Sequence, residues 1–411
     1  MTTLREDAQR IIEEAIRFVQ PDTAVKNALR QRKLTGPVWV VAVGKAAWQM
    51  AHAAREELGD AIRGGIVITK YHHAKGSIGP LEIREAGHPV PDENSFAAAR
   101  RAMELVQDLD EDDQVLFLIS GGGSALFESP LIDGSELADI TGQLLSCGAD
   151  IVEINTVRKR LSAVKGGRFA QLCAPASVFA VVLSDIVGDP LDMIASGPAC
   201  PDSSTCAMAR EIAGRYGLRL SDRARECLST ETPKELDNVE TVITGSVAQL
   251  CASAQRTAAE LGYEPLVLTD SLTCEAREAG SFLASMARYR SGRGRRVALI
   301  AGGETVVHVT GKGLGGRNQE LALAAAIGIE GLTDAAIFSV GSDGTDGPTD
   351  AAGGYVDGAT ALRLRELGYS PEAYLADNDA YHALSACGGL IITGPTGTNV
   401  NDLTVALIRG E

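Results

Sequence analysis

The sequence predicts an α/β protein with two domains, and three observations support this prediction. Short, continuous apolar runs alternate with segments of helical periodicity, which is typical of strands that helices bury on both faces. The 411 residues exceed the usual size of one domain. Gly accounts for 45 residues, about 11% against a usual ~7%, and many of these glycines follow the apolar runs. We expect an N-terminal Rossmann-like domain with a mostly parallel sheet and a C-terminal α/β domain.

The elements are predicted from periodicity and from residues that break it. Apolar residues at helical spacing indicate a first helix over residues 5–19, which Pro21 ends. Residues 304–310 are expected to form a strand and residues 318–326 a helix. The polar segment 229–240 contains Pro and has no periodicity, so we place the expected domains at residues 1–237 and 238–411. The other predicted strands are VWVVAV (38–43), GIVIT (65–69), VLFLI (115–119), VFAVVL (178–183), VETVIT (239–244), VALIA (297–301), AAIFSV (335–340) and GLIIT (389–393).

Charge and cysteine content exclude several classes of protein. The net charge of -16 disfavours binding to nucleic acid or to an anionic membrane surface, because both require a basic footprint. The eight cysteines form no C-x-x-C pair, so neither a zinc site nor a disulfide framework is indicated. The first residues are too charged for a signal peptide, and no apolar run reaches the ~18 residues of a membrane span. We therefore expect a reduced, cytoplasmic protein.

Glycine-rich loops follow six of the apolar runs, in VAVGKAA, LISGGGSA, VITGSVA, LIAGGETV, FSVGSDGTDG and IITGPTGTN. Glycine allows sharp turns and a close approach of backbone to ligand, and open α/β sheets bind ligands beyond the carboxyl ends of their strands. Each loop taken alone could simply end a strand. Together they predict one crevice that several glycine loops line.

Three segments are candidate anion sites. In the loop formed by Ser120, Gly121, Gly122, Gly123 and Ser124, several backbone N–H groups can point at one phosphate or carboxylate, with two hydroxyls beside them. Lys45 follows a buried strand and precedes a helix, where its charge adds to the positive end of the helix dipole, although it could equally reach into solvent.

The third segment is basic. We expect a helix to begin at Asn155 and to continue to Lys165 and Arg168, with Asn155 and Lys159 on one face near its start. The alternative for this segment is a solvated basic face.

Two acidic loops are candidate metal or general-base sites. Asp185 and Asp189 follow one buried strand, and Asp343 and Asp346 follow another. A nucleotide-bound Mg²⁺ takes one or two carboxylates, and one of these groups could instead serve as a general base. The alternative, an Asp side chain that closes an Asx turn, suits Asp346 better than Asp185.

The segment from Gly311 to Gly316 matches G-x-G-x-x-G before a predicted helix. A dinucleotide site also requires an acidic residue at the end of the next strand, which is missing here. With Arg317 at the start of the helix, we interpret the loop, including Gly313 and Gly315, as an anion clamp. His88, in GHPVP, is interpreted as a turn residue.

Taken together, these motifs resemble the glycerate 2-kinase family, whose C-terminal part is called the MOFRL domain. The resemblance runs from about Val38 to Leu403. It is carried by VGKAA, GHPVPDENS, SGGGSAL, EINTVRKRLSAVKGGR, LSDIVGDPLDMIASGP, GGETVVHVTGKGLGGRNQELAL, SVGSDGTDGPTDAAGG and TGPTGTNVNDL.

The resemblance implies ATP-dependent phosphorylation of D-glycerate at its 2-hydroxyl, with Mg²⁺ and with a MOFRL region at about 295–405. It also implies two α/β domains with the active site in the cleft between them. Lys45 and Arg317 would clamp the transferring phosphoryl group and the glycerate carboxylate from different domains. Asp185 would orient or deprotonate the hydroxyl, with Asp189 as its substitute or as a metal ligand alongside Asp343. The loop 120–124 would hold phosphate or carboxylate, and Asn155 and Lys159 would line the same pocket.

Two alternatives stay open at this point: an NAD(P)H-dependent hydroxypyruvate reductase and a non-catalytic protein that binds small anions. The expected partners are small-molecule substrates, with no nucleic acid and no membrane. A homo-oligomer is left open.

Overall fold

The chain folds into two compact units, each built on a six-stranded sheet, so the predicted α/β architecture is confirmed. The computed structural model describes residues 3–410; residues 1, 2 and 411, at the ends of the expected domains, lie outside the described residues. The first-sheet unit comprises Pro21–Ser184 and Asp189–Thr244. The second-sheet unit comprises the chain up to Gln20, which contains helix α1 (Leu4–Phe18), the short segment Asp185–Gly188, and the chain from Gly245 onward.

The first sheet has the strand order of a Rossmann fold, 3-2-1-4-5-6. Its strands are β1 (Val38–Val43), β2 (Ile62–Lys70), β3 (Leu81–Ala86), β4 (Gln114–Ile119), β5 (Ser177–Leu183) and β6 (Val239–Gly245). The pairs β2–β3, β1–β2, β1–β4 and β4–β5 are parallel, as predicted. The helices of this unit are α2 (Pro21–Gln31), α3 (Ala47–Leu58), α4 (Glu93–Val106), α5 (Gly123–Leu126), α6 (Gly134–Ser146), α7 (Ile151–Arg160), α8 (Arg168–Leu172), α9 (Cys206–Arg215) and α10 (Asp222–Cys227).

The second sheet is mixed, so the mostly parallel arrangement is confined to the first sheet. Its strands are β7 (Glu264–Leu272), β8 (Val297–Gly303), β9 (Ala335–Gly341), β10 (Gly353–Asp357), β11 (Leu390–Ile391) and β12 (Asp402–Ile408). Only β7 and β8 pair in parallel, and β12 lies between β8 and β9, antiparallel to both. The helices that follow α10 are α11 (Val247–Glu260), α12 (Ala276–Arg290), α13 (Arg317–Gly328), α14 (Thr360–Glu366), α15 (Pro371–Ala376) and α16 (Ala380–Ala386).

Two predicted elements differ from the structure. Residues 304–310 do not form a strand. They share a single β-bridge with the segment 272–275, between Glu275 and Val306. Helix α7 begins at Ile151 instead of Asn155, since Asp150 caps it by accepting a hydrogen bond from the Glu153 N–H at 2.9 Å. The expected continuation to Lys165 and Arg168 is wrong, because α7 ends at Arg160 and Arg168 begins the separate helix α8.

The compact units also differ from the expected division after residue 237. Strand β6 lies beyond that point but completes the first sheet. Helix α1 lies at the other end of the sequence and packs in the second-sheet unit, where Ile11 and Ala15 are buried in one cluster with Phe338. The units are therefore defined by contacts between residues far apart in the sequence. The polar segment 229–240 does not reveal such contacts.

No helix among residues 3–410 is both long and apolar enough to cross a bilayer. All eight cysteines are free thiols. The cytoplasmic location stays a prediction.

Gly65 offers a test of the first sheet. It lies in β2 with a φ of +146°, and a Cβ there would lie 1.9 Å from the Val40 carbonyl oxygen. We expect Gly65→Ala to lower the free energy of unfolding by about 2–4 kcal/mol through strain and overpacking. Gly142 is the control, because it is exposed on α6 with open space around it, and Gly142→Ala is expected to raise stability by about 0.5–1 kcal/mol. Urea unfolding measures both; equal effects of the two substitutions would contradict the close approach in β2.

Candidate functional site

The loops after β1 and β4 are joined by the side chain of Ser120. Its hydroxyl accepts a hydrogen bond from the Ala46 N–H at 3.1 Å and donates to the Val43 carbonyl at 3.3 Å. The Lys45 N–H donates to the Gly121 carbonyl at 2.9 Å. The predicted proximity of these two loops is therefore observed within the first-sheet unit. The Ser120 hydroxyl, however, faces the protein and is engaged there, so it is not one of the two hydroxyls expected to face an anion.

The glycines of this loop present free backbone donors. Among residues 3–410, the N–H groups of Gly121, Gly122 and Gly123 have no hydrogen-bond acceptor. Gly122 has a φ of +84°, and a Cβ there would lie 3.3 Å from Cγ of the exposed Lys45 side chain. Free N–H groups beside an ammonium are an arrangement that binds anions. We call residues 120–124 the anion loop.

Two histidines lie at the anion loop. A Cβ on Gly122 would lie 2.9 Å from Cδ2 of His88, and the Nδ1 atom of His73 lies 3.2 Å from the Lys45 carbonyl oxygen. Burial, and then the charges of Lys45 and Lys70, lower the pKa of His88, so its imidazole is neutral at pH 7. His88 was interpreted as a turn residue, and its position beside Gly122 was not evident from the sequence. The only signal was its place in the GHPVP segment.

Asn155 reaches the anion loop through one intervening residue. The Ser196 hydroxyl donates to Oδ1 of Asn155 at 3.0 Å and lies 3.0 Å from the Ser124 hydroxyl. Ser196 has a φ of +62°, an uncommon conformation for a residue with a side chain. The structure therefore brings Asn155 and Ser124 together, and Ser196 is a member of this group that the sequence did not indicate.

Lys159 lies on the same helix as Asn155 but is buried in a charge network. Its ammonium lies 3.2 Å from Asp192 and 3.2 Å from Asp202. Burial would raise the pKa of Asp202, but the Thr232 hydroxyl and the Lys159 charge outweigh it, and that pKa is lowered. The solvated basic face considered for this segment is wrong, since Lys159 and Arg160 are buried.

A second group of predicted residues meets in the second-sheet unit. Asp185, Gly313, Gly315 and Arg317 line one cleft of about 960 Å³. Asp185 belongs to this unit through the segment Asp185–Gly188. The cleft therefore combines an acidic residue, a basic residue and glycine backbone.

Arg317 is held in this cleft by two carboxylates. Asp402 accepts from Nε at 2.5 Å and from Nη2 at 3.1 Å, and Glu304 lies 3.2 Å from Nη1. Burial would lower the pKa of Arg317, but the hydrogen bond and charge of Asp402 outweigh it and the pKa is raised. The guanidinium is thus fixed and charged. Asp402 is buried whereas Glu304 is half exposed, so Glu304 is the partner that an incoming anion could replace.

The loop before Arg317 differs from the expected anion clamp. Several of its N–H groups are already hydrogen-bonded: Gly311 donates to Asn378 at 2.8 Å, Gly313 to the Asp377 carbonyl at 2.9 Å, and Leu314 to Asp379 at 3.0 Å. Gly313 therefore contributes surface to the cleft and no free donor.

The acidic candidates are dispersed. Among the described residues, no group of three or more His, Cys, Asp or Glu side chains is placed to hold a metal ion. Asp343 and Asp189 lie in different units, and Asp343 accepts a hydrogen bond from the Thr345 N–H at 2.9 Å. In Asp189, the Oδ1 atom is buried and has no hydrogen-bond partner within residues 3–410. Asp346 caps α13 by accepting from the N–H groups of Asn318 and Gln319.

Comparisons with known proteins cover nearly the whole chain. Residues 7–229 match a family described as a domain of unknown function, DUF4147, and residues 297–402 match the MOFRL family. D-glycerate 2-kinase of Thermotoga maritima is 54% identical over 99% of both chains. Glycerate 2-kinase of Pyrococcus horikoshii is 41% identical over 99% of this chain and 98% of its own. The crystal structure of glycerate kinase from Thermotoga maritima superimposes with a TM-score of 0.95, covering 98% of this chain and 99% of that one.

Asp346 gives a prediction of pH dependence. Burial raises its pKa from 3.8 to about 6, so between these values the folded state binds more protons than the unfolded state. The Asp346 carboxyl therefore removes on the order of 2 kcal/mol of stability as the pH rises from 4 to 7. Asp346→Asn lacks this titration. We expect the stability of the variant relative to the wild type to increase across that interval, as measured by urea unfolding; parallel pH curves would contradict the assignment.

Proposed function

Since the chain belongs to the glycerate 2-kinase family, we propose that it transfers the γ-phosphoryl group of ATP to the 2-hydroxyl of D-glycerate, giving 2-phosphoglycerate and ADP. The observation that carries this proposal is the 54% identity to D-glycerate 2-kinase of Thermotoga maritima over 99% of both chains. The hydroxypyruvate reductase alternative lacks support in the cleft, because the N–H groups of Gly311, Lys312 and Leu314 in the G-x-G-x-x-G loop are already hydrogen-bonded to residues 377–379.

The anion loop supports phosphoryl transfer or carboxylate binding. Phosphoryl transfer needs alignment and charge neutralisation more than covalent help from the protein. The free N–H groups of Gly121, Gly122 and Gly123 and the ammonium of Lys45 supply both to an anionic group. Asn155 supports the loop through the hydrogen bonds that link it to Ser196 and Ser124. Lys159 does not face the loop and supports the site from its buried ion pair with Asp202.

The cleft of the second-sheet unit supplies the complementary groups. Arg317 presents a fixed guanidinium, which is suited to bidentate recognition of phosphate or carboxylate. Asp185 lines the same cleft and is the carboxylate that we assign to orienting or deprotonating the substrate hydroxyl. Gly313 and Gly315 form part of the wall.

Magnesium is the metal that ATP would bring. When bound, it neutralises negative charge on the phosphate oxygens and requires only one or two carboxylates from the protein. The residues present fit this limited demand, because Asp189 has a buried carboxylate oxygen without a partner among the described residues. Asp343 is the second candidate ligand.

The reaction is tested by product identification. The protein is incubated with D-glycerate and Mg-ATP, and in parallel with hydroxypyruvate and NADH. We expect phosphate on the 2-oxygen of glycerate by ³¹P–¹H NMR, ADP in equal amount, and no oxidation of NADH. A chelator in excess should stop turnover, and added Mg²⁺ should restore it. Formation of 3-phosphoglycerate, or NADH oxidation alone, would overturn the proposal.

Lys45 provides the test of the anion loop. We expect Lys45→Ala to lower kcat by at least about 100-fold, the scale observed when one group that stabilises a transition state is removed. The matched control is Lys33→Ala, since Lys33 is exposed and lies before β1, away from the loop. Steady-state kinetics and thermal unfolding are measured for both variants. Near-normal turnover in a folded Lys45→Ala protein would remove Lys45 from the catalytic group.

A further inference from the structure

Two buried charged side chains and one partly buried side chain contact one another beside the anion loop. Lys165 donates from Nζ to the Ser124 carbonyl at 2.7 Å and to the Phe127 carbonyl at 3.2 Å. Arg158 donates from Nη2 to the same Ser124 carbonyl at 3.3 Å. Both cations lie near one oxygen of Glu128, at 3.4 and 3.3 Å. The side chains of Glu128 and Lys165 are fully buried, and none of the three was assigned a role above.

We propose that Lys165 is a positioning residue for the reaction: with Arg158, and with Glu128 as their shared counterion, it fixes the Ser124 carbonyl and so directs the anion loop at the bound substrate. This inference rests on the proposed function, because it supposes that the loop holds an anionic group of ATP or glycerate. Ser124 is held from two directions. Its carbonyl is bound by the two cations, while its hydroxyl meets Ser196.

The same group places charge near the anion. One carboxylate and two cations leave a net charge of +1, and burial protects it from screening by salt. The charged groups that face Lys165 are Glu128, which follows α5, and Arg158 on α7. Burial lowers the pKa of Lys165 to about 8, although Glu128 opposes this shift. Loss of that proton would reduce the net charge to zero and weaken the binding of an anion.

A purely structural lysine would behave differently. The pKa of Lys165 is lower in the folded protein than its ordinary value of 10.5. Between pH 8 and 10.5 the unfolded state therefore binds more protons, and this group makes the fold more stable as the pH rises. A positioning role predicts that activity falls over the interval in which the Lys165 contribution to stability increases.

The experiment compares the wild type with Lys165→Met, Lys165→Arg and a control, Lys234→Met. Lys234 likewise donates to two backbone carbonyls, those of Asp202 and Ser204, but does not contact the loop. For each protein, kcat and both KM values are measured from pH 7 to 9.5, together with the thermal midpoint. Hydrogen exchange of the peptide containing residues 120–125 is measured with and without inorganic phosphate.

We expect the wild-type kcat/KM for one substrate to fall on the order of tenfold between pH 8 and 9.5. Lys165→Met should raise the KM for that substrate on the order of tenfold already at pH 7 and speed exchange in the loop. Lys165→Arg, which stays charged, should flatten the pH profile, and Lys234→Met should match the wild type. If Lys165→Met fails to fold, the wild-type pH profile and loop exchange still decide.

Unchanged KM values and unchanged loop exchange in folded Lys165→Met, or a wild-type profile that is flat to pH 9.5, would overturn the positioning role. The proposed function fails separately, through absence of glycerate phosphorylation in the wild type. In that case the phosphate-dependent loop exchange still tests Lys165, because it requires no turnover: an effect of Lys165→Met on exchange supports the role, and its absence refutes it.

Discussion

The hydrogen bonds of the Ser120 side chain are the constraint on which the first site depends. Parallel neighbours end at the same edge of a sheet, so β1 and β4 deliver their loops side by side. The Ser120 hydroxyl then joins the two loops, because it accepts from the Ala46 N–H and donates to the Val43 carbonyl. This contact leaves no room for a side chain at residue 44. A Cβ at Gly44, which has a φ of +116°, would lie 2.3 Å from Oγ of Ser120. The Ser120 hydroxyl is thus engaged within the protein, whereas the Lys45 side chain is exposed beside the loop.

In both candidate sites a buried carboxylate forms an ion pair with a cationic side chain. Desolvating such charges costs several kcal/mol per ion, and the attraction between partners often does no more than offset it. Buried pairs are thus poor sources of stability, which favours an orienting role for Asp402 beside Arg317 and for Glu128 beside Lys165. In each case the carboxylate restricts the rotation of the cationic side chain that it contacts. A protein with a net charge of -16 nevertheless places two cations, Arg158 and Lys165, beside the anion loop.

Features encoded within short segments could be predicted from the sequence, and features that depend on distant partners could not. The strand–glycine pattern predicted most strands of the first sheet and the meeting of Lys45 with the anion loop, and the longer motifs together indicated the family. The sequence around Lys159 does not reveal whether its ammonium is solvated or paired. The partner that buries it, Asp202, lies 43 residues away. Arg317 was identified, but its partner Asp402 is 85 residues further on. Strands β3, β7, β10 and β12 were not predicted, and the inward rotation of Ser120 depends on a contact with β1.

The position of β12 has a consequence for how the protein is made. This strand occupies residues 402–408 yet lies in the interior of the second sheet, between β8 and β9, which precede it by many residues. Helix α1, synthesised first, packs beside α11 and against that same sheet. On the ribosome, the first-sheet unit has all its strands once Gly245 has emerged. At that point α1 has been synthesised, but the strands of the second sheet against which it packs have not. The second-sheet unit acquires its central hydrogen bonds only after residues 402–408 have been made, so the apolar face of α1 lacks its partners in that sheet until then.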